Sequence, residues 1–402
     1  MHKLKSFPIW QRNLVVLWFG VFMTGMGLSE VMPFLSLYID ELGTFSKSQL
    51  TFYSSLVFSI AFLVMALVSP LWGRLADRKG RKLMLLRASF GMAIVFFLMG
   101  FVTNVWQLML LRALQGAFGG FISNSNALIA VQTPKEKAGQ ALSILVTGST
   151  AGTLLGPLLG GTLASLFGYR FSFHITGLIL FVVFLLTLFF VKEDTSSFQL
   201  KQTQPQAKPP KTLQAIGQNR LILFLFTMTL CIQIVNLAIN PILSLFVKEL
   251  LNGHGQITFT AGIVAAMPGI STILAAPFFG KLGDRVGTKL ILFFGFAFAT
   301  VVFFFTGFVH SITQLLILRF LTGISDAALI PSIQTLLTKE TPVEDTSLIF
   351  SYNQSFQSIG SVLGPIIGAF LANLFDYNGI FFFCSLLMIA NLIGYLVMKK
   401  RT

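Results

Sequence analysis

The sequence predicts an all-α integral membrane protein: twelve transmembrane helices in two pseudo-symmetric six-helix bundles. Three observations carry this. Hydrophobic residues make up 54% of the 402 and charged residues only 10%, too few charges to cover a surface in water, so lipid is the solvent. Twelve apolar runs are long enough to cross about 30 Å of hydrocarbon at about 1.5 Å per residue. Finally, the polar segment Gly73 to Lys82 returns as Gly280 to Lys289. Asp77 and Asp284 stand 207 residues apart, as do Gly80 and Gly287, Arg112 and Arg319, and Gly116 and Gly323. An offset held by four pairs marks a duplicated half.

The runs are 13–39, 50–72, 83–102, 105–131, 138–166, 171–191, 220–248, 258–280, 288–309, 312–337, 347–374 and 378–398. The first continues to Ile39 without a small-residue cleavage site, so it reads as a retained helix and not a signal peptide. Basic residues crowd the N-terminus, the even-numbered loops and the C-terminus, whereas the odd-numbered loops hold only Lys47, Arg170 and Lys248. This asymmetry puts both termini in the cytoplasm. It also accounts for the net charge of +14 without invoking nucleic acid as a partner. Between an N-terminal bundle, 1–191, and a C-terminal bundle, 220–402, residues 192–219 lack apolar periodicity and carry Pro205, Pro209 and Pro210. They read as a flexible cytoplasmic linker.

Four ionisable residues fall well inside predicted spans: Glu30, Arg112, Arg319 and Asp326. Each costs about 2.5 kcal/mol or more on insertion scales, which makes them the first functional candidates. Glu30 precedes Pro33 by three residues, where a proline frees backbone carbonyls and permits a bend. Arg112, Gln115, Gly116 and Gly119 share one helix face. Arg319 and Asp326 lie two turns apart, too far to pair along their own helix. A buried carboxyl that holds and releases a proton is what proton-coupled transport requires.

Gly148, Gly152, Gly156 and Gly160 recur every fourth residue, with Pro157 and Gly161 interleaved. That spacing makes a smooth face onto which another backbone can close. Gly360, Gly364, Pro365 and Gly368 form a shorter counterpart, and Pro268-Gly269 and Pro277 mark bending points in the eighth span.

The segment Gly73-Arg-Leu-Ala-Asp77-Arg78-Lys-Gly80-Arg81-Lys82 is similar to the loop signature of the major facilitator superfamily, with Gly280, Asp284, Arg285 and Gly287 as its weaker second copy. Leu-Leu-Arg112-Ala-Leu-Gln115-Gly116 resembles the helix-4 motif of that superfamily. The Gly148–Gly161 run resembles the helix-5 motif of its antiporters, above all the twelve-helix drug/proton antiporters. The likeness covers essentially the whole chain. It implies alternating access of two halves about a central cavity, with Arg112 in a proton relay. It also implies that Asp77 braces the clasp against Arg78 or Arg81 and a neighbouring helix N-terminus. An acid on helix 10 favours Asp326 as a proton site, and the residues leave the coupling group open between Asp326 and Glu30. The second copy departs from the signature, with Thr288-Lys289 in place of Arg81-Lys82.

The expected activity is proton-driven export of small amphipathic compounds, including drugs, across the bacterial cytoplasmic membrane; the alternative is an exporter of one metabolite such as a sugar or amino acid. The 44 phenylalanines and 13 methionines suit a cavity that re-packs around varied substrates. Helix faces nominate Phe34, Asn124, Asn126, Asn236, Asn240, Gln334 and Gln357 as cavity groups. Scattered histidines and the lack of phosphate-loop, HExxH or GxSxG patterns argue against an enzyme. Cys231 and Cys384 lie in apolar runs and imply neither disulfide nor metal. No cofactor or metal is expected beyond the proton gradient; the partners are membrane lipid, substrate and protons, and the chain is expected to work as a monomer.

Overall fold

The computed structural model describes residues 8–193, 220–341 and 346–399, and among these the regular structure is helical throughout. The helices are α1 (Ile9–Glu30), α2 (Leu35–Glu41), α3 (Lys47–Lys79), α4 (Arg81–Met99), α5 (Val105–Phe118), α6 (Phe121–Gln132), α7 (Lys135–Phe167) and α8 (Tyr169–Phe190). After residues 194–219, which lie outside the described ones together with most of the expected linker, come α9 (Arg220–Leu250), α10 (Ile257–Val286), α11 (Thr288–Thr306), α12 (Ile312–Lys339) and α13 (Thr346–Lys399).

Among the described residues, ten helices are long and apolar enough to cross a membrane. The other two expected crossings are present in altered form. The fourth run is broken into α5 and α6, each too short alone, at Gly119-Gly120, where Gly120 takes φ +107°. The eleventh and twelfth runs join in α13, interrupted at Asp376 by φ 61° and ψ −178°. The first run likewise breaks after Glu30, as the bend at Pro33 requires, with the Met32 amide turning back to the Ser29 carbonyl at 3.1 Å. With α1–α2 and α5–α6 each taken as one crossing and α13 as two, the chain makes twelve. Its outward side chains are themselves apolar, with Leu67, Phe189 and Leu274 each more than 65% exposed. That is a surface for lipid and not for water.

The chain forms two compact units, 1–43 with 60–206 and 44–59 with 207–402, so α3 contributes its first turns to the second unit. Within that unit Lys47 reaches both Glu249 and Asp376 at 2.8 Å and lies 4.4 Å from the centre of the Tyr377 ring.

The duplication is visible atom by atom. Asn104 caps α5 by accepting the Gln107 amide at 3.0 Å, and Ser311, 207 residues on, caps α12 by accepting the Gln314 amide at 3.3 Å. Both glutamines reach back to the residue before the cap, Thr103 or His310, which satisfies orphan donors at each helix start. A methyl group added at Gly116 would strike the Ala61 carbonyl, and one at Gly323 the Pro268 carbonyl. Ala61 and Pro268 are again 207 apart.

Candidate proton-coupling site

Glu30 ends α1 and is wholly buried. The glycine run of α7 places it there. A Cβ at Gly148 would come 2.9 Å from the Trp18 carbonyl, one at Gly152 would collide with the Phe22 carbonyl, and one at Gly156 would lie 2.7 Å from the Met26 carbonyl. At Gly160 it would collide with the Glu30 carbonyl. Pro157 and Gly161 are buried alongside. The α1 backbone therefore lies directly on α7; the Ser29 hydroxyl bonds back within α1 to the carbonyls of Gly25 at 2.9 Å and Met26 at 3.2 Å and reaches the Gly152 carbonyl of α7 at 3.5 Å. The side chain of Glu30 turns to α8, where its Oε1 is hydrogen-bonded to the Thr176 hydroxyl. Its Oε2 is buried and has no hydrogen-bond partner among the described residues. The second unit repeats the packing without the acid. Gly360, Gly364 and Gly368 of α13 meet the carbonyls of Leu230, Ile234 and Ala238 of α9, and Ala238 stands where Glu30 does.

Asp326 lies on α12, half-buried, and shares with Asn236, Ser325 and Met388 a narrow crevice with no room for a water molecule. Asn236 hydrogen-bonds its carboxyl, and Arg319 acts on it through its charge. Asn236 and Asp326, nominated separately from sequence, thus belong to one site. Arg319 is 6% exposed, so it does not snorkel to a helix end, and its Nε has no hydrogen-bond partner among the described residues.

Arg112 is 5% exposed and donates from Nη1 to Gln115 Oε1 at 2.6 Å. Just beyond, the chain breaks at Gly119-Gly120, the position matching Asp326-Ala327 of the other half. The end of a helix leaves carbonyls without amide partners, and two side chains from other helices supply donors. Arg87 of α4 reaches the carbonyls of Ala117 at 3.3 Å, Phe118 at 3.5 Å and Gly119 at 2.6 Å. Trp72 of α3 donates to Ala117 at 2.8 Å and lies under the Arg87 guanidinium, 3.9 Å from it. Asn124 holds the far side through the Gly120 carbonyl at 2.8 Å. Arg87→Ala should therefore lower stability by about 1–3 kcal/mol, the cost of orphaned buried carbonyls. Thermal melting of the purified protein measures it, and Arg87→Lys, which lacks the fork, should recover only part.

The chain matches the Major Facilitator Superfamily over residues 17–253 and 225–402. It is 47% identical over 372 residues to the multidrug resistance protein MdtG of Salmonella heidelberg (strain SL476), covering 92% of this chain and 91% of that protein. The chain belongs to the Major Facilitator Superfamily. It is a multi-pass membrane protein. MdtG of Dickeya zeae (strain Ech586) is 45% identical over 394 residues, 98% of this chain and 96% of its own. Among solved structures, a bacterial homologue of the human lysosomal transporter Spinster, inward-facing and occupied, gives a TM-score of 0.81 at 15% identity over 98% of both chains. The nucleoside transporter NupG gives 0.79 at 14%, over 98% of this chain and all of its own. At such identities the likeness concerns the fold alone.

The superfamily's loop signature is mostly helix here. Its first residues close α3, Gly80 alone is non-helical at φ +98°, and Arg81 opens α4. Gly287 repeats this at φ +96° between α10 and α11. Only glycine holds that conformation without strain. Gly73 and Gly280 face open space, and Arg78 and Arg285 are exposed. The side chains of Asp77 and Asp284 lie outside the described ones.

Among the described residues, an acid at the N-terminus of α4 is Glu193, assigned from sequence to the linker. Its carboxylate accepts the amides of Arg81 and Lys82 at 2.8 Å each. Next to it, Lys192 exchanges hydrogen bonds with Asn13 at 2.6 and 3.1 Å. The first described residues after α8 are thus pinned to α1 and α4. Glu193→Ala should cost about 1 kcal/mol, as loss of a cap does, read as a lower melting temperature that Glu193→Gln only partly restores.

The remaining residues nominated from sequence for a substrate cavity differ in burial. Phe34 is wholly buried, stacked on Tyr169 at 5.7 Å and edge-on to Phe173 at 5.4 Å, so it packs α8. Asn126, Asn240 and Gln357 are half-buried, and Gln334 is exposed.

Proposed function

We propose that the chain is a proton-coupled antiporter that exports small amphipathic compounds, drugs among them. It works by alternating access of two halves, 1–191 and 220–402, tethered by 192–219. The relatives named for multidrug resistance support the substrate class. The observation that carries the proton half is the pairing of Glu30 with Thr176. The Thr176 hydroxyl has one proton and two acceptors in reach, Glu30 Oε1 and the Ser172 carbonyl at 3.1 Å. With Glu30 ionised, one of these acceptors goes without, and Oε2 is left bare in a site sealed from water. A protonated carboxyl relieves both: its O–H donates to the threonine oxygen so that the threonine can donate to Ser172, and Oε2, although still without a donor, no longer carries a share of negative charge.

The pocket therefore suits the neutral acid. Loss of the proton favours any conformation in which Glu30 meets water or a cation, so proton occupancy biases a conformational equilibrium. Asp326 with Asn236 supplies a second acid in the other unit, and Arg112 is assigned to the relay between proton and substrate. The chain is a transporter and not an enzyme, acts as a monomer in the bacterial cytoplasmic membrane with both termini inside, and needs no cofactor or metal beyond the proton gradient.

Efflux of dyes and antibiotics from everted vesicles tests this. Transport should require an imposed pH gradient, collapse with a protonophore, and extend over chemically varied amphipaths. A profile confined to one sugar or amino acid, or flux indifferent to the gradient, contradicts it.

A further inference from the structure

A second feature of the first unit lies at the opposite end of α1 from Glu30. A cavity of about 370 Å³ opens between the first turns of α1 and α7, lined among others by Trp10, Gln11, Arg12, Lys137 and Gln140. No acidic side chain lines it among the described residues. Arg12 is half-buried, and its Nε and Nη2 are both screened from solvent with no hydrogen-bond partner among the described residues. Those two nitrogens share one edge of the guanidinium, the edge that grips two oxygens of a carboxylate or phosphate side-on. Leaving such donors buried and unmatched is costly. Lys137 adds a second, exposed cation at the rim, and two amides offer further hydrogen bonds.

Position narrows the ligand. α1 opens at Ile9 and α7 at Lys135, so the cavity lies at the membrane–water boundary, the depth of lipid headgroups, with Trp10 where interfacial tryptophans collect. A basic pocket between helices at that level meets the anionic headgroups of its leaflet.

We propose that this cavity is a binding site for the phosphate group of an anionic phospholipid, held side-on by Arg12 and from the rim by Lys137. The Gln11 and Gln140 amides face the glycerol portion, and Trp10 and Leu14 wall the start of an acyl chain. The lipid bridges α1 and α7 at one end of the same helix pair that the glycine run seals around Glu30.

Native mass spectrometry of the full chain, released from nanodiscs containing phosphatidylglycerol, cardiolipin or only phosphatidylcholine, tests the site. The wild type should retain one anionic lipid and no phosphatidylcholine. Arg12→Ala should weaken retention by about tenfold or more, the scale of truncating one partner of a buried charged pair, and Lys137→Ala, which removes an exposed rim charge, by only about twofold to fivefold. Arg12→Lys, which keeps the charge but not the fork, should fall between the wild type and Arg12→Ala, guarding against a variant that simply misfolds. Inorganic phosphate at millimolar concentration should not displace the lipid. Equal retention by Arg12→Ala, equal retention of phosphatidylcholine, or displacement by free phosphate each overturns the proposal, the last by making the ligand a soluble anion.

Discussion

Glu30→Gln should reduce proton-driven export by about two orders of magnitude while leaving the protein folded. The amide has the shape of the neutral acid, and its N–H can donate to the Thr176 oxygen as a protonated carboxyl would, so the buried contact and the α1–α7 packing survive. What disappears is the charged state. Swinging a two-state equilibrium from 1:99 to 99:1 takes about 5.5 kcal/mol of differential binding, and a proton delivers that only to a group that can release it. Downhill substrate exchange should persist in the variant, because it needs no net proton movement, whereas uphill efflux driven by a pH gradient should not. Parallel assays of Asp326→Asn decide between the two acids. If Glu30→Gln keeps its gradient dependence and Asp326→Asn loses it, the coupling proton sits on α12 beside Asn236.

The fold was legible because membrane helices announce themselves by length and apolarity, and because duplication repeats chemistry at a fixed interval. Gly80 and Gly287 share a backbone conformation, and Asn104 and Ser311 share a capping role. What could not be read were contacts between residues distant in sequence. Gly119 was legible as part of a smooth helix face, yet adjacent glycines permit either a continuous helix or a break. Here Arg87 and Trp72, about 30 and 45 positions away, supply donors for the freed carbonyls. Glu193 follows the last crossing of its half, beside a proline-rich stretch with no periodicity, and nothing in its surroundings signals a cap for α4. Glu30 was singled out as a charge in an apolar run, but its partner Thr176 is 146 residues away and looks like any other helical threonine. The glycine run and Glu30 likewise stood as two separate motifs, and only the packing shows that one seats the other.

That packing gives a matched pair of substitutions. Gly160→Ala places a methyl group on the Glu30 carbonyl, and Gly368→Ala places one on the Ala238 carbonyl. Backbone cannot swing aside as a flexible side chain does, so each helix pair must separate, at a cost of about 1–3 kcal/mol for overpacking. Thermal melting should register similar losses for both, while Gly139→Ala, which lies within α7 and meets nothing within 4 Å, should be slightly stabilising, by about 0.4–1 kcal/mol. Their effects on transport should differ. Displacing α1 at Glu30 disturbs the hydrogen bond to Thr176 and opens the sealed carboxyl to water, which stabilises the charged form. Gly160→Ala should therefore shift the pH dependence of efflux toward more acidic values, because more protons are needed to refill the site, whereas Gly368→Ala, with no acid at the contact, should lower the rate without moving the profile. Equal shifts in both variants would show that the glycine run serves helix packing alone and that the proton site lies elsewhere.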